Sequence, residues 1–128
     1  MNWNRLLRRI ADRKCTPFIG AAASLPHLRQ ASEIAEEWTQ SHGYPLEDSD
    51  DLARVAQYLA VREDAMAPKE MMRDEILGKG PPDFDDPAEP HALLADLNLP
   101  LYITTNYDDF MFQALVDRGR DPVQEICR

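Results

Sequence analysis

Two short segments of this chain read as β-strands, residues 16–20 and 101–105, and everything between them reads as helix and loop. Each strand runs straight into small or polar residues. Gly20, Ala21, Ala22, Ala23 and Ser24 follow the first, and Asn106, Tyr107, Asp108 and Asp109 follow the second. Two strands, each followed by a helix and separated by a long helical stretch, point to an interrupted βαβ unit. The expected fold class is α/β, a partial Rossmann-like domain with few parallel strands and a helical insertion at about 45–97, all in one domain over 1–128.

The helical pattern has clear punctuation. Trp3, Leu6, Leu7 and Ile10 share one helix face, and Arg5, Arg8, Arg9 and Arg13 fall largely on others, so the first helix is amphipathic. Pro26 interrupts any helix directly after the first strand. Ser32 is suited to cap a helix carrying Ile34, Ala35 and Trp38 and ending near Gly43. After Tyr44 and Pro45, the residues Asp48, Ser49 and Asp50 offer caps for a helix that buries Leu52, Val55, Ala56 and Leu59. Pro68 opens another at its first position, with Met72 and Ile76 inward and Gly78 or Gly80 as its stop.

Residues 79–90 hold four prolines among Asp83, Asp85, Asp86 and Glu89, which predicts a solvent-exposed connector within the domain. A short helix over 91–97 leads to the second strand. A last helix over 107–118 presents Phe110, Met111, Ala114 and Leu115 for packing, with Gly119 as its cap. Residues 123–127 resemble the start of a further strand.

Composition limits the function classes. Apolar residues make up 44% of the 128, enough for a modest single core. The formal net charge of −9 disfavours direct nucleic-acid binding. No apolar run approaches the roughly 20 residues that cross a bilayer, and no signal peptide precedes the first helix, so no membrane association and a cytoplasmic location are expected. Cys15 and Cys127 form no close pair and read as free thiols, and no metal-ligating cluster is legible.

The two segments after the strands carry the chemistry. Glycine and small residues at a strand end let backbone N–H groups approach a phosphate, and the Ser24 hydroxyl adds a hydrogen bond. Taken alone, the same residues make a tight turn under a helix. In the second segment Asn106 is suited to orient a ribose hydroxyl or a water, and Asp108 to accept from an amide. The plainer reading is that Thr105 or Asn106 caps the following helix while Asp108 and Asp109 favour its positive end. The polar edge at the carboxyl ends of strands is where ligands bind open α/β sheets.

In this order the two segments resemble the sirtuin-like domains of bacterial anti-phage defence proteins. Gly20-Ala21-Ala22-Ala23-Ser24 matches that family's Gly-Ala-Gly-x-Ser at all but one position, and Thr104-Thr105-Asn106-Tyr107-Asp108 matches its Thr-x-Asn-x-Asp. The flanking stretches 24–27, 44–48, 90–94 and 105–110 are similar as well, so the resemblance covers nearly the whole chain. It implies NAD as substrate or ligand. Gly20, Ala21, Ala22, Ala23 and Ser24 are implied to cradle the pyrophosphate, Asn106 to work as the catalytic residue at the nicotinamide ribose, and Asp108 to recognise the carboxamide. The implied activity is NAD hydrolysis to nicotinamide and ADP-ribose, in an oligomer or under a fused or partner sensor domain. Transfer of ADP-ribose to an acyl-lysine is the deacetylase branch of the same resemblance.

Two departures qualify what is implied. Ala22 stands where the family has its second glycine. At a position requiring φ > 0, alanine costs on the order of 1 kcal/mol and crowds the phosphate. The family's catalytic histidine lies on a strand after the Asn-x-Asp helix, whereas His27, His42 and His91 all precede it. The sequence thus reads as an N-terminal portion of such a domain, inactive by itself. The alternatives are a non-catalytic NAD or nucleotide binder, and a self-association module in which the basic first helix meets acidic loops at 47–51 and 83–89.

Overall fold

The computed structural model describes residues 2–25 and 27–127, so the expectation for Pro26 lies outside the described residues. The elements are α1 (Trp3–Ala11), β1 (Phe18–Ile19), a 3-10 turn (Ala21–Ala23), α2 (Ala31–His42), α3 (Leu52–Arg62), α4 (Ala67–Lys79), α5 (Pro90–Asp96), β2 (Ile103–Thr104) and α6 (Phe110–Asp117). They divide into two compact units. One combines Met1–Ser24 with Pro81–Arg128, and the other is Leu25–Gly80. A unit boundary therefore falls at the start of the proline-rich connector, and α5 belongs with the strands.

The first unit is mixed α/β. β1 and β2 pair in parallel, with Phe18 opposite Ile103 and Ile19 opposite Thr104. The Ile103 N–H donates to the Pro17 carbonyl at 3.0 Å, and the Thr105 N–H donates to the Ile19 carbonyl at 3.1 Å. Both strands are shorter than expected from the sequence, because among the described residues only this two-rung ladder forms. One sheet face is covered. Ile19 packs with Ala95, Met111, Ala114 and Leu115 of α5 and α6, and Ala23, Phe84, Leu94 and Tyr102 close the cluster. The Tyr102 hydroxyl donates to the Leu94 carbonyl and accepts from the Leu99 N–H, which ties the end of α5 to the start of β2.

Helices α1 and α6 end alike. In α6 the Gly119 N–H donates to Val116 and the Arg120 N–H to Leu115, with Gly119 at φ 71°. In α1 the Arg13 N–H donates to Ile10 and the Lys14 N–H to Arg9, with Arg13 at φ 56°. Both are the double C-terminal bond that satisfies the last carbonyls, and it needs one left-handed residue. Glycine fills that place in α6 without strain. Arginine fills it in α1, where a Cβ is unfavourable. Residues 120–127 form no regular element, so the strand expected at 123–127 is absent from this structure.

The second unit is helical. Ile34, Ala35 and Trp38 of α2 pack on Val55 and Leu59 of α3, with Tyr44 beneath and Met71 and Met72 of α4 at the margin. Its caps differ from those expected. α2 begins at Ala31 with Gln30 as its N-cap, because the Glu33 side chain reaches back to accept the Gln30 N–H at 2.9 Å. Ser32 lies in the first turn. Asp51 caps α3, accepting from the Ala53 and Arg54 N–H groups, while Asp48 accepts from the Tyr44 hydroxyl at 2.6 Å. That bond holds the Asp48 carboxyl below its usual range. α4 starts at Ala67, one residue before Pro68, and ends at Lys79 with Gly80 as its C-cap, whose φ is 67°. Met72 and Ile76 are only half-buried.

Arg29 joins α2 to α4. It donates to both oxygens of Glu75, Nε to Oε1 at 2.8 Å and Nη2 to Oε2 at 2.6 Å, and also to Glu37. The Arg29 hydrogen bonds pull the Glu75 carboxyl below its ordinary pKa against the opposing effect of burial.

Two outcomes follow. Arg13→Gly removes the left-handed strain and is expected to raise the unfolding free energy by about 0.5–1 kcal/mol, read by chemical denaturation. A depressed folded pKa gives stability that is present above the unfolded value, about 4.3 for glutamate, and lost as pH falls through the lower folded value. Trp38 emission in a Trp3→Phe background is therefore expected to report loss of the helical unit in that acid range, with a shallower pH dependence in Glu75→Gln.

Candidate functional site

The two motifs meet in the first unit at the carboxyl ends of β1 and β2. After Ile19 the chain passes through Gly20 in an extended conformation, φ −108° and ψ 179°, into the 3-10 turn. The Ala23 N–H donates to Gly20 and the Ser24 N–H to Ala21, closing that turn. The N–H groups of Ala21 and Ala22 stand outside the turn's own bonding, at its open end. Gly20, Ala21 and Ala22 are exposed, whereas the turn folds Ser24 inward until it is 4% exposed.

None of Ala21, Ala22 and Ala23 has a positive φ. The expected strain at Ala22 is therefore absent, because the turn is right-handed and admits a Cβ at every position. Gly20 likewise has an ordinary φ, and a Cβ built on it meets nothing within 4 Å. Neither residue type is dictated by the fold in this structure.

Ser24 is the centre of the constellation. Its hydroxyl donates to Asp108 Oδ2 at 2.8 Å and accepts from Asn106 Nδ2 at 3.0 Å. One buried side chain thus joins residues more than eighty positions apart in sequence. The other Asp108 oxygen accepts from the Phe110 N–H at 3.1 Å, which fixes the carboxylate at the entry to α6. The Asn106 N–H donates to Thr104 Oγ1. Asn106 Oδ1 is buried with no hydrogen-bond partner among the described residues, an acceptor without a donor there.

The plainer capping expectation is corrected here. α6 begins at Phe110 with Asp109 as its N-cap, and neither Thr105 nor Asn106 fills that place. The Asp109 side chain instead accepts from Gln113 at 2.6 Å. The Asn106 side chain is free of helix duty because the chain needs three further residues, 107–109, to turn from the strand into α6.

A second polar pair lies close behind this loop. Glu89 was expected in an exposed connector, yet it is buried. Its carboxylate accepts from the Ala92 N–H at 2.5 Å, capping α5, and from His91 Nδ1 at 2.7 Å. The ring of His91 is 1% exposed and meets Phe110 edge to face, with centroids 5.9 Å apart. His91 Nε2 has no hydrogen-bond partner among the described residues. The sequence signal for this pair was Glu89 and His91 flanking Pro90, where glutamate can cap a helix that proline opens.

The remaining histidines belong to the helical unit. A His27 ring nitrogen, Nε2, donates to the Gly80 carbonyl at 2.8 Å, and His42 Nδ1 donates to the Trp38 carbonyl at 3.2 Å. Among the described residues no group of three or more His, Cys, Asp or Glu is placed to hold a metal ion. Among the described residues no helix is long and apolar enough to cross a membrane.

No protein-family model matches this chain, and no curated protein matches it either.

The bridge makes a stability prediction. Ser24→Ala leaves Asn106 Nδ2 and Asp108 Oδ2 facing each other without the hydroxyl, and is expected to cost about 1–3 kcal/mol in chemical denaturation. Gly20→Ala, on an open and permitted backbone, is expected to change stability by less than about 0.5 kcal/mol.

Proposed function

We propose that the first unit is the NAD-binding part of a Rossmann-like, sirtuin-like domain whose reaction is hydrolysis of NAD to nicotinamide and ADP-ribose. The observation that carries this reading is the Ser24 hydroxyl joining Asn106 and Asp108 at the carboxyl ends of two parallel strands. Both motifs that suggested the family from sequence are thereby in one place, at the sheet edge where α/β domains take their ligands. The anti-phage setting rests on the sequence resemblance.

The residues suit the parts of the ligand differently. The exposed Gly20-Ala21-Ala22 backbone offers N–H groups to a pyrophosphate, with no side chain beyond a methyl in the way. Asn106 Oδ1 is an acceptor suited to a ribose hydroxyl or to a water held by one. Asp108 is suited to accept from the carboxamide N–H once Ser24 yields its bond. In the hydrolysis the C1′–nitrogen bond breaks, nicotinamide leaves neutral with the bonding pair, water adds at C1′ and a proton is released. An amide oxygen orienting the ribose hydroxyl or the water lowers the reorganisation this needs.

Proton removal from that water is a separate matter. Both oxygens of Asp108, the one titratable group of the three, are engaged by Ser24 and Phe110. In this reading Ser24, Asn106 and Asp108 bind and orient the ligand and the water. The same observation supports a second reading, NAD or nucleotide binding without turnover.

Titrating NAD by calorimetry while assaying nicotinamide tests both. The expected result is binding that Asn106→Ala and Gly20→Ala each weaken roughly tenfold or more. Gly20→Ala is the sharper variant, because its unfolding midpoint should not move. Nicotinamide release favours hydrolysis, and tight binding without release favours the second reading. No binding by the folded wild-type chain, or equal affinity in all three proteins, overturns the assignment.

A further inference from the structure

Two apolar surfaces of the first unit have no cover. The stripe of α1 is one: Trp3 is 64% and Leu7 60% exposed, Leu6 and Ile10 are half-buried, and no residue of the helix is buried. The second is the sheet face opposite the α5 and α6 cluster, where Phe18 is 71% exposed and Leu101 and Ile103 are also exposed. Phe18 and Ile103 are register partners and so share one face, and the exposed Leu101 precedes the strand by two residues. Parallel sheets are normally covered on both faces, by helices with this i, i+3, i+4, i+7 stripe.

We infer that α1 of one copy packs on the open sheet face of a second copy, and that the exchange is reciprocal. The chain's own α1 leaves the face bare, and the direction in which it exits is already fixed by the two bonds from Arg13 and Lys14. Charge favours the same pairing. Residues 1–14 carry five basic groups (Arg5, Arg8, Arg9, Arg13 and Lys14) against one acidic. Residues 81–128 carry ten acidic groups against three basic. A two-fold pair matches each basic helix to the acidic unit of its partner, using both surfaces twice. An anionic lipid surface is the other occupant that a basic amphipathic helix fits. It is disfavoured because the acidic remainder of the chain would be repelled from it.

This inference is independent of the NAD reading, and its test needs no nucleotide. Sedimentation of the full chain from micromolar to millimolar concentration is expected to show a monomer–dimer equilibrium that weakens with added salt. Leu7→Glu and Phe18→Lys change exposed positions and should keep the wild-type circular dichroism while each weakening the dimer by roughly tenfold or more. Mixing the two variants restores a dimer, because the helix of one meets the sheet face of the other. A wild-type chain that stays monomeric throughout overturns the proposal. So does a mixture that stays monomeric, or a monomer that instead co-sediments with phosphatidylserine vesicles.

Discussion

The parallel pairing of β1 with β2 is the constraint on which the first unit rests. Two backbone bonds, from Ile103 and Thr105 to the carbonyls of Pro17 and Ile19, join strands separated by more than eighty residues. Loop-closure entropy rises slowly with length, by about 0.6 kcal/mol per doubling, so so long a connection is tolerable. Two rungs alone do not hold such a closure. Ile19 on the covered face brings Ala95, Met111, Ala114 and Leu115 against it, and the apolar area they remove from water fixes the register. Ser24 and Asp108 then meet because each follows its strand by a fixed number of residues.

The placement of the site was legible because it depends on chain direction. Glycine and small residues after one strand, and polar residues after another, can only share an edge if the strands run parallel. The lengths of the strands were not legible, since residues such as Thr16 and Leu101 fit a strand by type but find no ladder partner beyond the two rungs. Helix existence was well marked by Trp38, Val55 and Leu59 at their spacing. Caps were less so. Asp48 and Asp51 are chemically alike, but the Tyr44 hydroxyl and Arg54 engage the first, while the second caps α3. Glu89 was misplaced for a similar reason. Its carboxylate is buried by two donors, Ala92 N–H and His91 Nδ1, that a proline-rich, acidic stretch does not advertise.

Within the site, polar satisfaction is uneven. Ser24 donates to Asp108 and accepts from Asn106, and each Asp108 oxygen has one donor, while Asn106 Oδ1 and, behind the loop, His91 Nε2 are buried with no hydrogen-bond partner among the described residues. Unsatisfied buried acceptors raise the free energy of the state that contains them. Phe110 touches the His91 ring, and its N–H holds Asp108.

The bond between His27 and the Gly80 carbonyl bears on how this architecture can change. It brings the first and last turns of the helical unit together, so the chain enters and leaves that unit at one place. A segment hinged in this way behaves as a cassette. Helices can be lengthened, lost or exchanged within it while the span between its flanking residues stays the same.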